Sequence, residues 1–431
     1  MRILSRALPV AAALVALLAT HASAQQADAS SVDAAILDVL LARGLIDQAQ
    51  YEELMAMARA HADEARGEVD LIESRLERLR APDLQTSGGA PQKLLFKSSD
   101  GKWSMAVKGR VQVRAETVDS DDETKDGINF SVPRARLGVD GVAGAENVKY
   151  RLEMDLATNR NMVDPATESA VTLRQGWIDW GFANGTDVLL GQTEYPFGRE
   201  ATTSSANQQF GERSIVFTEF EPEYEPQAMF HGSANEGQLD FAVAVSNGEG
   251  RGKNNTPGTT KNGLRQGARV VWCPLGAIKN DGPAFQTYDN GEMRVSIGAN
   301  YMTNQDSSGL NTATVGADTR TAGVDALFLA GPLSITGELI SRDEHDSTGA
   351  NDDDDGYLLE GGWLITDRWE VAVRQAAIDY EVKDDRTERA VGLNYYVDKH
   401  NGKWQLEWNQ IDAQGVTPGQ TLWRVGYQLM F

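Results

Sequence analysis

The chain has 431 residues, with 40 lysines and arginines against 63 aspartates and glutamates, for a formal net charge of -23. That balance argues against nucleic acid or an anionic leaflet as a partner held by bulk attraction. The five histidines have no His-x-x-x-His or Glu-x-x-His spacing, Cys273 is alone, and there is no Gly-x-Ser-x-Gly or phosphate-binding loop. Nothing therefore points to a metal, a cofactor, a disulfide framework or a catalytic residue.

Arg2 and Arg6 precede an apolar run from Ala7 to Ala19, and Ala22-Ser23-Ala24 is a small-x-small cleavage site. Residues 1–24 read as a secretory signal peptide, too short for an anchor. No other run is long enough for a spanning helix. Membrane insertion of the exported chain would have to use strands, and its negative mean hydropathy suits strands with one wet face.

Residues 25–81 read as helix. Ile36, Leu37, Leu40 and Leu41 form one stripe that Gly44 ends, and Asp47 with Gln50 has capping-box spacing. Val69, Ile72, Leu76 and Leu79 then step by three, four and three, a short coiled-coil seam that self-association would bury. Packing of this helix on its own barrel is the alternative. Pro82 stops it, and Ser87-Gly88-Gly89 lies in a linker over 82–101.

From 102 to 431 the period switches to two. Val107, Val111 and Val113 alternate with Lys108, Arg110, Gln112 and Arg114, and Leu152 and Met154 alternate with Arg151, Glu153 and Asp155. The face is ambiguous at 171–180 and 322–330. The final stretch sets Trp423, Val425, Tyr427, Leu429 and Phe431 on one parity and Arg424, Gly426 and Gln428 on the other. About sixteen such segments of roughly ten residues match tilted strands with lipid outside and water inside. Connections alternate between tight ones (Gly144, Gly185, Glu236, Gly331, Thr366, His400) and long polar ones such as 117–130, 304–317 and 343–355. Short periplasmic turns and long external loops give that asymmetry. The expected fold is all-β: an antiparallel transmembrane β-barrel of about sixteen strands, with the helical segment in the periplasm. Outer-membrane lipid and lipopolysaccharide would surround it.

A barrel of this size leaves an aqueous channel. The longest connection, 196–225, carries Arg199, Glu200, Glu212, Arg213 and Glu219, which are constriction candidates if it folds inward. Arg110, Arg114, Arg134, Arg136, Arg151, Arg294, Arg374 and Arg424 fall on polar strand faces and form a candidate basic track for anions. Glu116, Asp140, Glu153, Asp155 and Glu407 share those faces, so a wall of mutually screening ion pairs is the competing reading. The run Asp352–Asp355 reads as a solvated external loop.

These segments resemble the phosphate-selective porin O and P family. The likeness rests on Pro133-Arg134-Ala135-Arg136-Leu137-Gly138, on Gly191-Gln192 followed by Pro196-Phe197-Gly198, and on Phe210-x-Glu212-Arg213-Ser214. Ser246-Asn247-Gly248, Ala268-Arg269-Val270-Val271-Trp272 and Gly392-Leu393-Asn394-Tyr395-Tyr396 extend it, from about residue 95 onwards. The resemblance implies a trimeric sixteen-stranded porin, narrowed by an inward loop, that passes small inorganic ions, phosphate or polyphosphate among them. Two features depart from the pattern. Glu194 stands where many relatives are basic, and Glu223-Tyr224-Glu225-Pro226 replaces an Arg-x-x-Gly motif. A general or cation-preferring porin, and a tether from outer membrane to cell wall, are the rival functions.

Overall fold

A computed structural model describes residues 37–44, 47–57, 94–122, 126–157, 171–182, 185–222, 224–248, 250, 263–278, 292–307, 317–345, 351–413 and 419–431. The chain divides into two units, Met1–Pro82 and Asp83–Phe431. In the first, residues 37–42 and 48–57 are helical. Gly44, at φ 69°, closes the first helix. The capping box is present: the Gln50 amide donates to Asp47 Oδ1 at 2.8 Å, and the Asp47 amide donates to Gln50 Oε1 at 3.0 Å. The signal segment 1–24, the seam residues Val69, Ile72, Leu76 and Leu79, and the Ser87-Gly88-Gly89 linker lie outside the described residues.

Among the described residues, the second unit is one sheet of 17 strands. They are β1 (Leu94–Lys97), β2 (Ser104–Ser120), β3 (Gly127–Ala143), β4 (Ala145–Asp155), β5 (Thr172–Gly181), β6 (Thr186–Glu194), β7 (Tyr224–Ala234), β8 (Leu239–Ser246) and β9 (Arg265–Trp272). They continue as β10 (Arg294–Ser307), β11 (Ala317–Ala330), β12 (Leu333–His345), β13 (Asn351–Leu364), β14 (Trp369–Tyr380), β15 (Arg386–Asp398), β16 (Gly402–Ala413) and β17 (Gln420–Met430). Every pair is antiparallel, each strand from β2 onward pairs with the next, and β17 pairs back with β2. The sixteen strands β2 to β17 therefore close a barrel without a free edge. The short β1, not foreseen from the sequence, pairs with Ser104–Val107 of β2, below the point where β17 stops.

Alternation decides which face each side chain takes. On β17, Trp423, Val425 and Leu429 are exposed outside, while Arg424 and Gln428 are buried inside. Cross-strand aromatic pairs, Trp369 with Tyr395 and Trp404 with Tyr427, each have ring centroids 4.7 Å apart. They sit at the end of the barrel that carries the tight turns, as an interfacial girdle would. Gly144 at φ 72° and Gly331 at φ 54° make two of those turns in a region that side chains avoid.

Two irregularities aim side chains at the interior. Between Gln112 and Arg114 of β2, strand β3 advances from Arg134 to Ser131, so it carries one extra residue there. Pro133, which has no amide to donate, occupies that bulge. On β5 the partner of Glu153 is Gln175 and that of Met154 is Leu173. Arg174 is the residue left over, and both it and Gln175 are buried. That bulge explains why the face of 171–180 cannot be read by alternation.

The Asp352–Asp355 run is not a solvated loop. It begins β13: Asp354 lies opposite Tyr380, and Asp355 opposite Asp379. Asp354 is buried and pairs with Arg342 of β12. Four carboxylates read as too polar for a strand, but alternate ones face the lumen, where an arginine meets them. The connections at 117–130 and 304–317 are likewise shorter than expected, because β2, β3, β10 and β11 run into them.

Candidate functional site

The segment between β6 and β7 contains α1 (Arg199–Thr202) and α2 (Ile215–Phe220). Its residues bond to inward-facing positions around much of the barrel wall, which places it inside the lumen. Gly198 begins it, at φ 72°, with its amide donating to Asn300 Oδ1 at 2.9 Å. A Cβ at Gly198 would strike the Glu221 carboxylate. The Arg199 side chain donates to Asp325 at 2.7 Å and Ser296 at 2.7 Å, and its amide to Glu338 at 2.9 Å. Ser214 caps α2 by accepting from the Phe217 amide at 3.2 Å. The tip is held by the motif residue Asn394, whose side-chain amide donates to Gln209 O at 2.9 Å, and by Lys403, whose Nζ donates to Gln208 O at 2.6 Å.

One side of the loop is a dry apolar contact. Tyr195, Phe197, Ile215, Val216 and Phe220 cluster with the inward-facing Ala244, Met302, Ile340, Leu358, Ala376 and Ile378 of the wall. Phe210 packs separately on Ala372 and Ala390. Arg374 spans the two layers. Its guanidinium lies 4.3 Å over the Phe210 ring and pairs with Glu360 at 2.8 Å, Glu388 at 3.3 Å and Glu200 at 3.5 Å.

On the other side the lumen keeps a cavity of about 390 Å³, lined from β3 to β7, β15 to β17 and the loop. Arg134, Arg136, Arg174, Arg213, Arg386 and Arg424 line it, against Asp155, Glu194, Glu212 and Glu388. Each carboxylate is already engaged. Glu212 receives Arg114 at 2.6 Å and Arg134 at 2.7 Å. Asp155 meets Arg136 at 3.3 Å, and Glu194 meets Arg174 at 3.7 Å and the Tyr224 hydroxyl. Glu388 receives the Ile215 amide at 2.8 Å and Asn409 at 2.6 Å. Burial alone would raise the Glu212 carboxyl. Arg134, Arg114 and Arg424 outweigh that and hold it below the ordinary carboxylate range.

Arg213 differs from its neighbours. Its donors go to carbonyls, those of Glu200 at 3.1 Å and Thr203 at 3.0 Å among them, and its guanidinium lies 4.4 Å over the Phe217 ring. Arg386 Nε is buried with no hydrogen-bond partner.

Of the five loop candidates, Glu212 and Arg213 line the cavity. Arg199, Glu200 and Glu219 tie the loop to the wall instead. Glu200 meets Arg374 of β14 at 3.5 Å, and Glu219 accepts from Arg342 and from Tyr380, each at 2.8 Å. Of the strand arginines, Arg134, Arg136 and Arg424 line the cavity. Arg114 holds Glu212 from the wall, and Arg110 donates to Ser205 at 3.0 Å under the loop. Arg374 is in the dry contact, Arg151 pairs with Glu153 at 2.6 Å, and Arg294 is bound to Leu275 O at 3.0 Å beside a turn. The eight do not form one continuous track. Sequence reasoning missed Arg174, hidden by its bulge, and Arg386, at the first position of its strand. It also missed Arg265, Arg269 and Arg342, buried inward partners of Glu225, Asp325 and Asp354. The Glu225 that replaces the expected motif thus clasps Arg265, and Glu194 is neutralised by Arg174.

A family model for phosphate-selective porin O and P matches residues 105–418. The chain belongs to that family. Its fold is shared by solved outer-membrane porins. With an anion-selective porin from Comamonas acidovorans the TM-score is 0.57 at 14% identity, covering 76% of this chain and 100% of that one. With OmpT of Vibrio cholerae it is 0.53 at 12%, covering 78% and 100%. With the outer-membrane channel DcaP of Acinetobacter baumannii it is 0.52 at 13%, covering 78% and 99%. No curated protein matches the sequence. Family and fold are those of channel proteins, so this porin is an outer-membrane channel for diffusion of ions and small solutes in a Gram-negative cell.

Proposed function

We propose that this porin prefers anions, inorganic phosphate among them. The observation that carries the reading is the imbalance in the cavity. Six arginines line it against four carboxylates that are all engaged by fixed donors, and Arg213 is held by backbone carbonyls. Low-dielectric walls strengthen that local field, whatever the charge of the chain as a whole. The kinship with an anion-selective porin and with a family described as phosphate-selective supports the same sign. Loop residues Glu212 and Arg213 mark the constriction in this reading.

The test is the reversal potential in a potassium chloride gradient across a planar bilayer. Wild type is expected to favour chloride, and Arg213→Glu to shift towards potassium. A cation-selective wild type would overturn the reading, and a protein without conductance would favour the tether.

The protein works as a homotrimer in this proposal, and the periplasmic helical segment contributes to assembly. Deleting residues 30–81 is expected to leave a heat-modifiable barrel and a weaker oligomer, read as mass in detergent. An unchanged trimer would assign the whole interface to the barrel wall.

A further inference from the structure

The cavity has two kinds of lining, and inorganic ions use only one of them. Alternation should give a water-filled lumen polar strand positions. Ile411 of β16 and Leu422 of β17 sit on the inward parity and line the cavity. From the loop, Ile215, Phe217 and Pro222 line it too. An apolar wall gives a small hydrated anion nothing in exchange for the water it displaces. Beside that wall stand guanidinium groups held rigid: Arg213 stacked on Phe217, and Arg174 lying 4.1 Å over the Tyr224 ring. A guanidinium matches a carboxylate in a two-pronged hydrogen bond. The volume of about 390 Å³ falls in the range of small-molecule pockets.

We propose that this cavity is a binding subsite for organic anions that join a carboxylate to an apolar body, such as an aromatic carboxylate. The carboxylate meets Arg213 and Arg386, and the body lies on Ile411 and Phe217. The inference deepens the anion-preferring reading and rests on it.

The test uses the full-length porin in planar bilayers, with potassium chloride current as the readout and benzoate, acetate and phosphate as probes. Benzoate is expected to reduce the current at concentrations about tenfold below those needed for acetate or phosphate, the effect of burying one aromatic face. Ile411→Ser should bring benzoate towards acetate. Equal block by benzoate and acetate, or tighter block by phosphate, overturns the proposal. The wild-type probe series stands by itself if a variant fails to fold. A wild type that prefers potassium strikes the anion reading, whereas an anion-preferring channel indifferent to benzoate strikes only the subsite.

Discussion

The two halves of the lumen are built on opposite principles. Along β10 to β15 the inward face sets Met302, Ile340, Leu358, Ala376 and Ile378 among its paired charges, and the loop lies on them as a core element lies on a sheet. Along β3 to β6 and β17 the inward face is arginine and carboxylate around open space. One half of the barrel is foundation and the other is conduit. The same loop serves both, through Phe197, Phe210 and Phe220 on one side and Glu212 and Arg213 on the other. Charges that are equivalent in the sequence therefore have different work: Arg374 holds the loop down, and Arg213 lines the open cavity.

That division can be broken first at Arg374. Replacing it by alanine leaves Glu200, Glu360 and Glu388 without their shared cation in a buried layer. A loss of about 3–5 kcal/mol is expected, read as a lower unfolding midpoint in detergent. A midpoint within error of wild type would mean that the loop is not part of the fold's core. A smaller effect comes from Gly356, where a Cβ would lie 2.5 Å from the Phe220 ring and 3.3 Å from Val216. Gly356→Val should push α2 off the foundation and into the conduit, lowering single-channel conductance at a stability cost of about 1–3 kcal/mol. Undiminished conductance would show that the two halves do not share their space.

The smallest effect concerns pH. Burial, then Glu338 and Glu200, push the Glu221 carboxyl well above its usual range, while it accepts the Ala201 amide at 2.5 Å. The folded loop thus binds this proton more tightly than an exposed chain does. Its contribution is greatest in acid, below the ordinary carboxylate range, and is lost as pH rises through the raised value. Open-channel noise is expected to grow with rising pH in wild type and to grow less in Glu221→Gln. Equal pH dependence in both would remove Glu221 from the account.

The barrel was legible because alternation is a local property, repeated in nearly every strand. Its failures have local causes. The extra residues in β3 and β5 shift the parity, so Arg174 could not be assigned to the lumen. The inward Ile340, Leu358 and Ile378 read as noise in a polar face, yet together they trace the footprint of the loop. Asp352–Asp355 looked like a loop because arginine partners such as Arg342 lie on another strand. Length and charge marked 196–225 as the segment to watch. They do not separate Arg199, whose carboxylate partner is on β11, from Arg213, because that depends on the loop's path across some ten strands.

The seam between β2 and β17 has a consequence for how the molecule comes into being. It joins Ser120 to Gln420 and Glu116 to Arg424, and the latter pair is bonded at 2.9 Å. Residues that far apart in the chain meet late, because closing so large a loop costs entropy before any contact repays it. Until then β2 and β17 both present unpaired edges, open to strands of any other chain. A sheet in which the two strands had not yet met would be open at both margins, an exposure that the finished cylinder removes.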